Sequence, residues 1–234
     1  MSRTFDDTRR WVRFGTDLML RSVGGLDDDA FAASSALPGW SRAHVAAHVA
    51  ANAEALSNLV HWAATGEPTP MYASPERRAA DIEQGRALPS GELTAWLRRS
   101  ADALEAGMTA LGEERWSARV VTAQGRTVPA TEIPWLRSRE VCVHAVDLAT
   151  GATLADLPPD FLTALCDDAV AKRATAPGPA LTLRAPTAVW ELPGDGEPAV
   201  VTGELHDIAA YLTGRPAAPL TVDGAPAPAL GAWL

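Results

Sequence analysis

Two pairs of residues four positions apart carry the chain's clearest capacity for chemistry: His44 with His48, and Glu140 with His144. On a helix, residues at that spacing project from one face. A Glu-x-x-x-His segment therefore presents two ligands for a divalent cation side by side, and a histidine on a facing helix completes a set of three. Three nitrogen and oxygen donors leave positions open on the ion, as in catalytic rather than structural zinc sites. Without a thiolate, such a set suits zinc, nickel, cobalt or iron. Plainer readings compete: either histidine of the first pair can be a helix residue with a satisfied hydrogen bond, and Glu140 can pair with Arg137, three residues earlier. His61 lies 13 positions after His48, about 220° around a helix, and faces elsewhere. His206 reads as a surface residue. Cys142 and Cys166 form no CxxC pair or disulfide framework, and Cys142 reads as core.

Helices must hold these ligands. A first helix is expected over Phe5–Val23, ending at Gly24-Gly25. A second starts after Pro38-Gly39-Trp40, with Ser41 as N-cap, and runs to Gly66. Ser74-Pro75-Glu76 opens a third, with proline at the first helical position. A fourth runs from Ser90 to Gly112, and Val120–Pro129 is a loop or short extended piece. A fifth covers Glu132–Thr150 and stops at Gly151. That is a helical bundle with one long excursion. After a linker at Leu154–Pro159 comes a helix over Asp160–Thr175. Short β-leaning runs follow at Ala180–Arg184, Thr187–Leu192 and Ala199–Thr202, then an amphipathic helix over Gly203–Leu212 and a last strand at Leu220–Val222. The expected division is a helical bundle over residues 1–153 and a small α+β domain over 154–234.

Composition removes several function classes. At 47% hydrophobic, the 234 residues are apolar enough to bury one large or two small cores. No apolar run approaches the roughly 18 residues of a membrane span, and Met1–Asp7 turns acidic without an apolar segment. A cytoplasmic protein with no membrane partner is expected. A net charge of −9 argues against nucleic acid as a partner. Residues 1–150 hold 16 arginines against 19 acids, and residues 151–234 three arginines and one lysine against 10 acids. Most cations that could meet an anionic ligand therefore lie in the N-terminal part.

Three stretches carry a family resemblance: Gly39 to Ala50 (GWSRAHVAAHVA), His61 to Tyr72 (HWAATGEPTPMY) and Leu136 to Leu148 (LRSREVCVHAVDL). Together with Thr122 to Ala130 (TAQGRTVPA), they resemble the mycothiol-dependent maleylpyruvate isomerases, within the DinB-like metalloenzymes. The metal motif is common to many DinB-like proteins, whereas the TPMY and TAQGRT stretches are closer to the isomerases. The resemblance spans the chain and implies a DinB-like helical bundle followed by an α+β domain similar to sterol carrier proteins. It implies His48, Glu140 and His144 as metal ligands, with His48 thereby also catalytic. His44 matches a family histidine that does not touch the metal. Arg78 matches an arginine important for activity, and Arg215 and Arg126 are implied on the cofactor. Cys142 stands where a bulkier residue is expected.

The reaction implied is the cis–trans isomerisation of dianionic maleylpyruvate to fumarylpyruvate, in gentisate breakdown. A carbon–carbon double bond cannot rotate; reversible conjugate addition of a thiolate makes it a single bond. The chain has no well-placed nucleophile, so the thiol is implied to be mycothiol, on a monomer or weak homo-oligomer. A thiol of pKa about 8.5 is roughly 3% ionised at pH 7, so complete ionisation gains at most about 2 kcal/mol. Bringing thiol and alkene together gains about 7–11 kcal/mol. The metal must then position the thiol as well as deprotonate it. Two alternatives remain: a metal-dependent mycothiol S-transferase acting on another electrophile, which would consume the thiol, and a non-catalytic binding protein.

Overall fold

In the computed structural model the described residues are 3–215, 220–222, 224–231 and 233. Contacts divide the chain into two compact units, one of Thr4–Ala152 and one of Thr153–Leu234 together with Arg3. Helices dominate the first unit, and a small sheet lies in the second.

The first unit holds α1 (Phe5–Val23), α2 (Asp28–Ala32), α3 (Arg42–Thr65), α4 (Pro75–Arg86), α5 (Ser90–Ala110), β1 (Arg119–Val121), β2 (Thr127–Pro129) and α6 (Ile133–Asp147). Its centre is α3, where a run of alanines and valines, with Leu56 and Leu59, is buried almost all round. Such a helix has no solvent face to present, and it packs against α4, α5 and α6. Small residues set the closest approaches. A Cβ at Gly85 would lie 2.8 Å from Ala47 Cβ, so α4 is drawn tightly onto α3. A Cβ at Gly15 would lie 2.5 Å from Val141 Cγ2 and 2.6 Å from Cys142 Sγ. The cysteine is therefore the small side chain that lets α1 lie on α6.

Both metal-motif helices begin or end on identifiable chemistry. Ser41 caps α3 with a reciprocal box: its side chain accepts from the His44 amide, and its own amide donates to His44 Nδ1 at 3.0 Å. Helix α6 stops at Asp147, short of the expected Thr150. Arg42 takes its C-terminal carbonyls, donating from Nε to Leu148 O at 2.9 Å and from Nη2 to Ala149 O at 3.0 Å. Ala149 then adopts φ 54°, which turns the chain away before Gly151. The expected extended piece at 120–129 is an antiparallel hairpin, β1 on β2. The short helix α2, capped by Asp27, carries no periodic signal in the sequence.

In the second unit, α7 (Pro159–Arg173) precedes β3 (Pro179–Ala185), β4 (Ala188–Leu192), β5 (Asp195–Thr202) and α8 (Leu205–Thr213). The sheet order is β4-β3-β5, with β4 antiparallel and β5 parallel to β3. The chain crosses from β4 to β5 beneath the start of β3, where the Asp195 amide donates to Gly178 O at 2.8 Å. A Cβ at Gly194 would strike that same backbone. A second small hairpin pairs β6 (Thr221–Val222) with β7 (Ala225–Pro226). No helix among the described residues is long and apolar enough to cross a membrane.

Candidate metal centre and adjoining cavity

His48, Glu140 and His144 meet where α3 and α6 face each other, one ligand atom from each lying within 4.8 Å of the others. Glu140 Oε2 stands between the rings, 2.9 Å from His48 Nε2 and 3.3 Å from His144 Nε2. The cluster is buried or nearly so. Burial opposes charge on Glu140, yet hydrogen bonds and charge from the two histidines hold its carboxyl well below the usual range.

The two histidines differ in what lies behind them. Behind His144 is Asp147, fully buried, whose carboxylate is 2.9 Å from Nδ1. That contact fixes Nδ1 as the proton-bearing nitrogen and leaves Nε2 as the ligand atom, an arrangement that raises imidazole basicity. Burial alone would depress the imidazolium, but Asp147 and Glu140 outweigh it and His144 is raised to about 9. Behind His48 is Arg78, whose Nη2 is 3.2 Å from Nδ1. A guanidinium has no lone pair, so Nδ1 accepts and the proton resides on Nε2, directed at Glu140. Burial, with further push from His144 and Arg78, lowers the pKa of His48. The edge of Trp40 closes that side, 5.7 Å between ring centroids.

This donor chemistry fits a divalent ion. One carboxylate and two imidazole nitrogens converge at a largely buried point, and a second carboxylate orients one histidine from behind. His44 is elsewhere engaged: its Nδ1 completes the Ser41 cap, and Nε2 lies 3.5 Å from Glu83. His61 is exposed. Arg137 does not serve Glu140 as an ion-pair partner; it turns inward and donates to Val49 O at 2.8 Å and Asn52 Oδ1 at 3.0 Å. Its complete burial lowers its pKa to about 10, so it stays charged at neutral pH.

A cavity of about 620 Å³ adjoins the cluster, and Arg78 belongs to both. Its walls bring together the two stretches singled out in sequence: Met71 and Tyr72 from the first, Thr122, Ala123 and Gln124 from the second. Asn58 on α3 pins the first by donating to Pro70 O and Met71 O at 3.2 and 3.3 Å. The Ala123 amide meets Met71 Sδ at 3.2 Å and ties the second to the first. Trp62 supplies an aromatic face, and Arg78 is the charged group of the lining. Arg126, two residues beyond Gln124, is exposed on the hairpin and does not line the cavity. Arg215 belongs to the C-terminal unit, where it donates to Thr213 O at 2.8 Å and lies over the Trp233 ring.

Sequence reasoning passed over Asp147, Asn52, Trp40 and Tyr72 as site residues. Spacing could have found two of them. His48 and Asn52 are four apart on α3, and Glu140, His144 and Asp147 follow at four and three on α6.

Residues 12–149 match the family model described as the mycothiol maleylpyruvate isomerase N-terminal domain. Among solved structures, the chain is similar to a crystal structure of the mycothiol-dependent maleylpyruvate isomerase at 38% identity and TM-score 0.93, covering 99% of this chain and 98% of that one. It is also similar to that enzyme's histidine-to-alanine mutant at 37% identity and TM-score 0.92, with the same coverage. No curated protein matches significantly.

Proposed function

We propose that this chain, which belongs to the mycothiol maleylpyruvate isomerase family, is an isomerase that uses mycothiol to convert maleylpyruvate into fumarylpyruvate. One observation supports the reading: Arg78 touches His48 of the His48–Glu140–His144 cluster and also lines a cavity to which both isomerase-like stretches contribute. A bound divalent ion supplies the Lewis acidity that ionises and positions a thiol, and the thiol supplies the reversible nucleophile that frees the double bond to rotate. The remaining work falls to the protein.

His48, Glu140 and His144 hold the ion, which we take to be zinc. Asp147 keeps His144 in the tautomer that offers Nε2. When His48 Nε2 serves as a ligand, its ring proton must sit on Nδ1, and Arg78 can no longer donate there. The guanidinium is then available to a carboxylate of the dianionic substrate, which its planar fork binds bidentately. The apolar faces of Trp62, Met71 and Pro70 exclude water from the middle of the substrate. Cys142 and Cys166 are both buried, and burial raises both thiols, Cys166 to about 12. Neither can serve as the nucleophile at neutral pH.

The bundle is read as DinB-like, the C-terminal unit as similar to sterol carrier proteins, and the domain boundary as 153/154, on the sequence resemblance. Arg215 and Arg126 are proposed on the mycothiol by the same resemblance, and the protein is taken to be a cytoplasmic monomer or weak homo-oligomer. The test is to mix the protein with maleylpyruvate, with and without mycothiol, and identify products by NMR. Fumarylpyruvate formed only with mycothiol, and mycothiol recovered unchanged, is the expected result. Consumption of the thiol into a stable adduct would instead identify a transferase.

A further inference from the structure

Two arginines frame the His48–Glu140–His144 cluster, one from each helix that carries it. Arg42, at the start of α3, donates from Nε to Leu148 O at 2.9 Å and from Nη2 to Ala149 O at 3.0 Å, at the end of α6. Arg137, on α6, donates from Nη1 to Val49 O at 2.8 Å and to Asn52 Oδ1 at 3.0 Å, on α3. The pairings run in opposite senses along the two helices, which are therefore antiparallel, and His48, Glu140 and His144 fall between them. Arg137 is almost completely buried, at 1% exposure, and both its hydrogen bonds go to α3, neither to a carboxylate. Val49 follows His48 directly and Asn52 lies about one turn beyond it, while Arg137 lies about one turn before Glu140. We infer that Arg137 is a positioning residue for the metal centre: it holds α3 against α6 in the register at which the three ligands meet, with Arg42 closing the other side.

This rests on the reading of His48, Glu140 and His144 as metal ligands. An ion needs its ligand atoms held to about 0.5 Å. A helix rises about 1.5 Å per residue, so a slip of one residue would part His48 from its two partners. Packing resists such a slip weakly here. From Val45 to Ala53, α3 is built of alanine and valine apart from His48 and Asn52, and short side chains raise only shallow ridges. A backbone carbonyl suits the task. A carboxylate partner could follow a moving guanidinium by changing rotamer, whereas Val49 O moves only with α3 itself. Asn52 Oδ1 adds a second anchor one turn along, which fixes the helix in rotation as well as along its axis. Burying a guanidinium is costly, and a methionine of similar length would fill the place without that cost, so packing alone does not account for Arg137.

The test titrates full-length protein, stripped of metal, with cobalt(II) well below its unfolding temperature, and needs no turnover. Arg137→Met should bind cobalt about 10–100-fold more weakly than wild type. The visible absorption of the bound ion should change as well, because it follows coordination geometry. Leu104→Ala is the control for stability alone: it opens a core cavity on α5. It should lower the unfolding temperature and leave cobalt affinity and spectrum as in wild type. Should Arg137→Met not fold, the same readings are taken on Arg137→Lys. Lysine keeps the charge on a shorter reach, and its affinity should fall at least about threefold with an altered spectrum. Wild-type affinity and spectrum in the folded Arg137 variant, or an equal loss in Leu104→Ala, would overturn the inference. Wild-type protein that binds no cobalt would remove the metal reading and this inference with it. A wild type that binds, beside an Arg137 variant that binds equally well, would remove Arg137 alone.

Discussion

The cluster of His48, Glu140 and His144 and the cavity beside it are built in opposite ways. The cluster hangs on two helices of the first unit that face each other, and a partner stands behind each histidine: the buried Asp147 behind His144 and the half-buried Arg78 behind His48. Most of the cavity wall comes from the segments 70–74 and 122–124 between elements, pinned by contacts such as Asn58 to Pro70 and Ala123 to Met71, with Trp62 and Arg78 added from α3 and α4. Helices fix ligand positions to fractions of an ångström, which an ion requires. Loops tolerate adjustment, which a flexible dianion and a bulky thiol need as they enter and leave. On the proposed reading, the metal chemistry would fall to the helices and the selection of substrate to the loops.

The comparison breaks completely if a thiol of the chain itself reacts. Enzyme freed of small thiols should show no turnover, and a Cys142→Ala, Cys166→Ala double variant supplied with mycothiol should still turn over. In native protein at pH 8 both cysteines should resist a thiol reagent that labels them at once after unfolding, since burial holds both thiols protonated. The next largest effect probes Arg78, the residue shared by both regions. Arg78→Ala should lower kcat by roughly 100-fold or more with metal content unchanged. Arg78→Lys should recover only part, because it keeps the charge and loses the planar fork. A pure rise in KM would confine Arg78 to ground-state binding. Asp147→Asn then tests the rear of the cluster: apparent metal affinity, measured by competition with a chelator, should fall about 10–100-fold. Gln124→Ala should do least, shifting KM by about two- to tenfold with metal affinity unmoved, as expected for one hydrogen bond in an open wall. Metal loss in that variant would contradict the division between the regions.

The sequence made the rigid region legible and the adaptable one obscure, for physical reasons. The four-residue spacings of His44 with His48 and of Glu140 with His144 are local, so a helix places them whatever the rest of the fold does. The Ser41 cap and the Pro75 start were equally local. The end of α6 was not, because Arg42, more than a hundred residues away, takes the carbonyls of Leu148 and Ala149. The competing reading of Glu140 as an Arg137 partner could not be settled locally either, since Arg137 turns to Asn52 and the Val49 carbonyl on the facing helix. Nothing in the residues around Tyr72 and Gln124 says that they share a cavity; only the likeness of those stretches to the isomerases joined them. In the second unit the β-leaning runs were visible, but the parallel pairing of β3 with β5 depends on the crossing at Gly194.

The account stands most directly on whether His48 holds an ion, and metal analysis of two histidine variants decides it. His48 is buried against Glu140, while His61, 13 residues further along the same helix, is exposed. Purified wild-type protein should carry about one divalent ion per chain. His48→Ala should lose the ion and the isomerase activity together, and His61→Ala should keep both. Full metal occupancy in the His48 variant would contradict the assignment of the cluster and the mechanism drawn from it.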